Sequence, residues 1–163
     1  MTAAIVLNAS DSSSLNWALD YPAQQLQQGA TPSISLRGTL PSWTGDVVNR
    51  IVELAALPTV NPGGSSPMGI DDVVDVLNFL SRVMDDETMP PWIGRLSSGG
   101  VQLTWRSGDV EVEAVFDRAR NEREVVVVVG ANEWDAPADQ ADSLFATVRD
   151  RLSYAHLEST SPA

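Results

Sequence analysis

The sequence predicts an α+β fold in which helices pack on one face of a three-stranded antiparallel meander. Two segments, 45–57 and 70–84, repeat apolar residues at the spacing of a helical face. Two later segments, 101–105 and 110–116, alternate apolar and polar residues, as half-buried strands do. A third strand-like run, 125–129, is apolar throughout. With a final helix after it, the predicted order is α-α-β-β-β-α, preceded by an irregular N-terminal arm.

Composition divides the chain into three parts. Residues 1–43 are rich in serine, glutamine and proline, and we expect an irregular arm with short strands at 3–7 and 33–36. Residues 44–153 contain the regular patterns and are expected to form a single α+β domain. Residues 154–163 are mostly polar, and we expect them to form a flexible tail.

The first helix is marked by signals at both ends. Thr44 is a suitable N-cap, Asp46 complements the helix dipole in the first turn, and Pro58 ends the pattern. One face of this helix is apolar, which predicts that it packs on a core. The apolar residues are Val47, Val48, Ile51, Leu54 and Ala55.

The second helix has two rows of apolar residues and a narrow polar strip, formed by Asp71, Asp75, Asn78 and Arg82. A helix that is apolar on most of its surface is usually buried, here either in the centre of the domain or against a partner. Phe79 lies in the second apolar row. It is therefore a candidate partner-binding residue.

The first two strands are expected to form a hairpin. A two-residue loop at Ser107–Gly108 would place Trp105 opposite Val110. Leu103 would then lie opposite Val112, so that all the apolar pairs share one face.

The third strand, Val125–Val129, is the strongest sign of a contact surface. A continuous apolar strand is normally covered on both faces. We expect the helices to cover one face, and either the N-terminal arm or another chain to cover the other, which makes Val126 and Val128 candidate partner-binding residues. Trp92 and Trp134 fall in predicted loops beside the sheet, where an exposed tryptophan would anchor an interface.

The last helix is predicted to begin near 135–137, with Asp135 as its cap and Pro137 in its first turn. Its apolar residues recur with the helical period and predict a face that packs on the core. They are Ala141, Leu144, Phe145, Val148 and Leu152.

Composition excludes several classes of function. The net charge is −12, from 22 acidic and 10 basic residues, and every basic residue is arginine. A nucleic-acid binder needs a basic patch, and none is visible in the linear order. Without cysteine there is no disulfide, thiolate nucleophile or cysteine zinc site. With no signal peptide and no membrane-spanning run, we expect a cytoplasmic protein, and the lack of lysine suggests a G+C-rich bacterial or phage genome.

No set of residues predicts catalysis. His156 is the only histidine, and no Gly-x-Ser-x-Gly motif is present. The acidic groups 71–72 and 85–87 and the pair Glu111 and Glu113 are the candidates for a magnesium site. The same acids suit a helix start, a loop and a solvated strand face. We therefore predict no catalytic, cofactor-binding or metal-ligating residue. We also predict that the protein is not an enzyme.

One segment resembles known proteins. Two prolines at 90–91 lead to a Gly-Gly-Val-x-Leu-x-Trp motif at 99–105. From Pro90 to Val115 the chain resembles a loose group of small uncharacterised bacterial proteins that share this segment. An acid often precedes the tryptophan in that group, whereas this chain has Thr104. The resemblance implies no catalytic residues.

Together these features favour a non-enzymatic acidic interaction protein, similar to an antitoxin, an immunity protein or an adaptor. It would bind a basic protein partner and neutralise or escort it, since acidic charge accelerates encounter with a basic surface. One alternative is a self-associating structural or phage accessory protein, with a homodimer seam on the third strand and the second helix. A third is a metal-dependent enzyme with aspartate and glutamate ligands.

Overall fold

The computed structural model describes the backbone at residues 3–8, 16–21, 35–37, 42–56, 68 and 70–153, and the side chains at 42–51, 53–54, 68 and 71–153. The chain divides into two compact units, residues 1–57 and 58–163. Helices and antiparallel sheets are both present, so the α+β class is confirmed. Among the described residues, no helix is long and apolar enough to cross a membrane.

In the described residues of the first unit there are a small antiparallel sheet and one helix. Its strands β1 (Ala3–Asn8), β2 (Asn16–Tyr21) and β3 (Ser35–Arg37) pair in the order β1-β2-β3. Helix α1 (Thr44–Ala56) follows and begins at the residue that the sequence predicts as its cap. Its predicted apolar face is buried at Val47, Val48, Ile51 and Leu54. The predicted domain limits, 44 and 153, stay predictions.

The second unit is a five-stranded antiparallel meander with helices on one face. Each strand pairs with the next one along the chain, in the order β4-β5-β6-β7-β8. Its elements are α2 (Ile70–Val83), β4 (Trp92–Arg95), β5 (Val101–Ser107), β6 (Val110–Asp117), β7 (Glu122–Val129), β8 (Asn132–Pro137), α3 (Asp142–Ala146) and a 3₁₀ turn (Arg149–Leu152).

The predicted three-stranded meander is therefore wrong in strand number, because β4 and β8 extend the sheet at its two edges. Strand β4 has only four residues and includes Gly94, so it shows little alternation. Strand β8 is mostly exposed and has no apolar alternation. Edge strands of this kind bury few side chains, and burial is what produces the periodic pattern that identifies a strand.

The predicted start of the last helix at 135–137 is also wrong, because these residues lie in β8, where Asp135 pairs with Val126. Gly130 adopts a φ of 59° in the turn before β8, which sends the chain straight back along β7. Pro137 is the last residue of this edge strand, where its missing N–H costs no hydrogen bond with a neighbouring strand. The helix begins later, at Asp142.

The hairpin between β5 and β6 is confirmed, but its predicted register is wrong by two residues. Ser107 pairs with Val110, and Trp105 pairs with Val112. The loop is formed by Gly108 and Asp109, and Gly108 has a φ of 58°. A positive φ at the first loop position favours glycine. Because strand side chains alternate, a shift of two residues leaves every side chain on its predicted face.

An aromatic cluster lies between the helices and the sheet. Phe79 of α2 packs against Trp105 of β5, Phe116 of β6 and Phe145 of α3, with ring centroids 5.5 to 6.5 Å apart. All four rings are at most 2% exposed. The predicted apolar face near the C-terminus is buried at Ala141, Phe145, Val148 and Leu152, although the backbone there is a short helix followed by a 3₁₀ turn.

Candidate functional site

The two faces of the five-stranded sheet differ in their surroundings. Residues that pair across neighbouring antiparallel strands point to the same face. We call the face that meets α2 and α3 the inner face; one of its rows joins Ile93, Leu103, Ala114, Val125 and Ala136. The opposite, outer face includes three rows: Trp92, Thr104, Glu113, Val126 and Asp135; Gly94, Gln102, Val115, Glu124 and Pro137; and Arg106, Glu111, Val128 and Glu133.

The outer face carries an excess of acidic side chains around a strip of valines. Val115, Val126 and Val128 are half-buried along its centre. Arg106 is the one basic side chain in these three rows, and its Nη2 lies 2.6 Å from Oε1 of Glu111. The acids in these three rows are Glu111, Glu113, Glu124, Glu133 and Asp135.

Trp92 stands at one edge of the outer face and is 61% exposed, the largest exposure of any large apolar side chain described. Its six-membered ring lies over Gly94, two residues along the same strand. A Cβ atom at Gly94 would come within 2.4 Å of Cη2 and 2.5 Å of Cζ3 of the indole. The ring therefore occupies the space that a side chain at position 94 would need.

A cleft of about 640 Å³ opens beside this tryptophan. Its walls include Pro90, Trp92, Thr104 and Glu113, so that it runs from the β4 edge towards the centre of the outer face. Glu113 forms no hydrogen bond or ion pair with the residues that the structure describes. The cleft thus combines an exposed aromatic ring with a carboxylate that is unpaired within the described part of the chain.

The structure brings three of the five predicted partner-binding residues together. Trp92, Val126 and Val128 all lie on the outer face. Trp134 lies in β8 opposite Val127, on the inner face, and is 47% exposed. Phe79 is 1% exposed in the aromatic cluster, and we therefore leave it out of the contact surface.

The roles of Gly94 and Glu113 in the cleft are not among the sequence predictions. Period-two alternation places Trp92 and Gly94 on one face of a strand. Because glycine has no side chain, this spacing could have shown that the Trp92 ring can lie over position 94. It was missed because β4 was not predicted.

Four of the acids considered for a metal site, Asp71, Asp72, Asp85 and Glu111, have other partners. Arg118 lies 3.0 Å from Asp75 and 3.7 Å from Asp71, which ties the β6–β7 turn to α2. Burial raises the pKa of Asp85. Hydrogen bonds from the Thr88 hydroxyl and nearby backbone N–H groups lower this pKa by a larger amount, so that the net shift is downward. Within the described residues, no group of three or more histidine, cysteine, aspartate or glutamate side chains is placed to hold a metal ion.

A second cavity, of about 330 Å³, lies beside α2 and the ends of β7 and β8. Three of its four charged side chains, Asp75, Arg82 and Arg123, form ion pairs. Arg82 contacts Asp142 at 3.1 Å, and Arg123 contacts Asp75 at 3.5 Å. A ligand there would have to displace these ion pairs, so the outer face is the better candidate site.

Asp72 provides a pH-dependent prediction. Burial raises the pKa of its carboxyl, as do Asp117 and Asp75, against the lowering effect of the Arg118 backbone N–H and guanidinium. A carboxyl whose pKa is higher in the folded state favours folding more as the pH falls, and this contribution is lost as the pH rises through the folded-state pKa. We expect Asp72→Asn, which retains an acceptor for the Arg118 N–H, to melt at or above the wild-type temperature at pH 7.

Thermal unfolding of both proteins between pH 7 and pH 4.5 tests this prediction. The advantage of Asp72→Asn should shrink as the pH falls towards the ordinary aspartate pKa of about 3.9. An advantage that grows on acidification would contradict it. Asp139→Asn, at an exposed turn, is the matched control.

Comparisons of the chain with protein-family models, with curated proteins and with solved structures gave no match. The resemblance of the Pro90–Trp105 segment to small bacterial proteins stays a prediction. The function is therefore inferred from the residues of this chain alone.

Proposed function

We propose that this chain is a non-enzymatic acidic protein that binds a basic protein partner through the outer face of its five-stranded sheet, and so neutralises or escorts that partner. The observation that carries the proposal is the composition of this face, where half-buried valines and an exposed tryptophan share one surface with five carboxylates. An apolar centre with a charged rim is the usual anatomy of a protein interface.

The two components have different roles. The carboxylates attract a basic surface from a distance and accelerate encounter, an effect that salt weakens. The indole of Trp92 and the valines supply the apolar area that is desolvated on contact. The net charge of −12 extends the same electrostatic preference beyond the face itself.

Self-association through the same valines is the alternative from the sequence. The outer-face rows hold five carboxylates and one arginine, so a symmetric face-to-face dimer would bring together two surfaces of like charge, and like charges across an interface cost several kcal/mol. The predicted seam also needs α2, whose Phe79, Leu77 and Leu80 are at most 1% exposed. The charge pattern therefore favours a different, basic chain as the occupant.

Capture from a lysate of the organism that carries the gene tests the proposal, with two variants of equal net charge. Glu113→Arg with Asp135→Arg changes the outer face, whereas Glu87→Arg with Asp139→Arg changes exposed turns outside the strands. We expect the wild type and the turn variant to retain one basic protein in stoichiometric amount. The outer-face variant should lose it.

The captured protein is then purified and its affinity measured. We expect the outer-face variant to bind at least about tenfold more weakly, which corresponds to about 1.4 kcal/mol. Equal weakening by both variants would show that net charge alone is responsible. Recovery of no stoichiometric partner at either low or moderate salt would contradict the proposal.

A further inference from the structure

The cleft beside Trp92 has the features of a site for a cationic side chain. We propose that the Trp92 indole and the Glu113 carboxylate form a subsite for the guanidinium group of an arginine in the partner, an inference that rests on the function proposed above. Aromatic faces attract cations that lie within about 6 Å of the ring centroid. A carboxylate near the same position would add a charge-assisted hydrogen bond.

The sheet sets the spacing of the two groups. Trp92 pairs with Thr104, and Thr104 pairs with Glu113, so the three residues form one row across β4, β5 and β6. Neighbouring strands lie about 4.8 Å apart, which puts the Trp92 and Glu113 backbones about 10 Å apart. Trp92, Thr104 and Glu113 all line the same cleft, so the space between the ring and the carboxylate is open to a ligand.

Gly94 is the residue that positions the ring. Because the Cη2–Cζ3 edge of the indole occupies the space of a side chain at position 94, any larger residue there displaces the ring. The exposed fraction of Trp92, 61%, leaves most of the indole accessible to a ligand. Gly94 is thus a positioning residue for the aromatic half of the subsite.

Charge favours a cation over a neutral group. Glu113 is part of the cleft wall and forms no hydrogen bond or ion pair with the described residues. Arg106 also borders the cleft, but its guanidinium is held by Glu111 at 2.6 Å. The charge balance at the cleft is therefore negative.

Two short peptides test the subsite: acetyl-Gly-Arg-Gly-amide and the same peptide with citrulline, which has the shape of arginine without its charge. Titration of ¹⁵N-labelled full-length protein is followed through the indole N–H of Trp92, assigned by its absence in Trp92→Phe. We expect a saturable shift of this signal and of the Gly94 amide with the arginine peptide only. The indole N–H of Trp134, an exposed tryptophan on the inner face, is the internal control.

Two variants separate the halves of the subsite. Glu113→Gln keeps the backbone and the size of the side chain, and should weaken arginine-peptide binding about two- to fivefold. Gly94→Val should abolish the Trp92 shift by displacing the ring. If Gly94→Val does not fold, Glu113→Gln still decides the carboxylate's role.

The inference is overturned if the Trp92 signal does not move, moves equally with the citrulline peptide, or responds normally in Glu113→Gln. These outcomes are independent of the proposed function. If the outer-face variant loses the captured partner while the peptide fails to bind, the partner-binding role stands and the subsite fails. If the peptide binds and no partner is captured, the arginine subsite stands and the partner-binding role fails.

Discussion

Phe79→Ala is expected to lower the free energy of unfolding of the second unit by about 3–5 kcal/mol. The Phe79 ring contacts three other aromatic rings, from β5, β6 and α3, and is 1% exposed. Truncation removes these contacts and leaves a cavity between the helix and the sheet. Edge-to-face aromatic pairs of this kind contribute beyond their buried area.

Denaturant unfolding followed by circular dichroism measures this effect. Phe79→Leu, which fills part of the space, should cost less than Phe79→Ala. Trp92→Ala is the matched aromatic control, and because its side chain is mostly exposed we expect a change of only about 0.5 kcal/mol. A stable Phe79→Ala protein that had lost partner binding would instead place Phe79 in the contact surface.

Gly100→Ala is expected to destabilise the second unit by about 1–3 kcal/mol or more. A Cβ atom at this position would lie 2.7 Å from the Phe116 carbonyl oxygen and 2.7 Å from Cβ of Asp117. Neither atom can easily move, since Phe116 is in the core and Asp117 is fully buried. The Asp117 carboxylate also accepts hydrogen bonds from the Ser98 hydroxyl and the Arg120 N–H.

Thermal unfolding of Gly100→Ala beside Gly45→Ala tests this close approach. An added Cβ at Gly45, in α1, meets no described atom within 4 Å apart from its chain neighbours and the backbone of its own helix. Alanine is up to about 1 kcal/mol better than glycine in a helix, so we expect Gly45→Ala to be neutral or slightly stabilising. Similar melting temperatures for the two variants would contradict the packing described at Gly100.

Side-chain periodicity predicts which face of an element is buried more reliably than where the element begins. Val47, Ile51 and Leu54 are buried as the helical spacing predicts. In the β5–β6 hairpin the faces are also as predicted, although the register is shifted by two residues. The alternation of buried residues along a strand shows which face is buried, but it does not set the register. The register depends on which two residues form the turn, and Gly108 suits either turn position.

The edge strands could not be predicted by the same reasoning. Asp135 and Pro137 are typical of a helix start, but the Gly130 turn and pairing with β7 hold them in a strand. Backbone hydrogen bonds between strands depend on the neighbouring strand. They produce no side-chain pattern in an edge strand whose residues are exposed. Tertiary contacts therefore outweigh the local helix signals there.

The candidate site was predicted in part. The continuous valines of β7 indicate a second contact face, and Val126 and Val128 do lie on the outer face. Trp134 could not be assigned to a face without β8, and its strand position places it on the inner face. The sequence does not show whether Phe79 is a core residue or an interface residue, because an apolar row on a helix fits both equally well.

The central claim is that the outer face binds the basic partner, and site-specific photocrosslinking tests it most directly. Benzoylphenylalanine is placed at Val126 in one preparation and at Trp134 in another, since β7 and β8 are adjacent and these two side chains lie on opposite faces. After irradiation with the captured partner, we expect a crosslink from position 126 and none from position 134. A crosslink from position 134 alone, or none from either position, would contradict the claim.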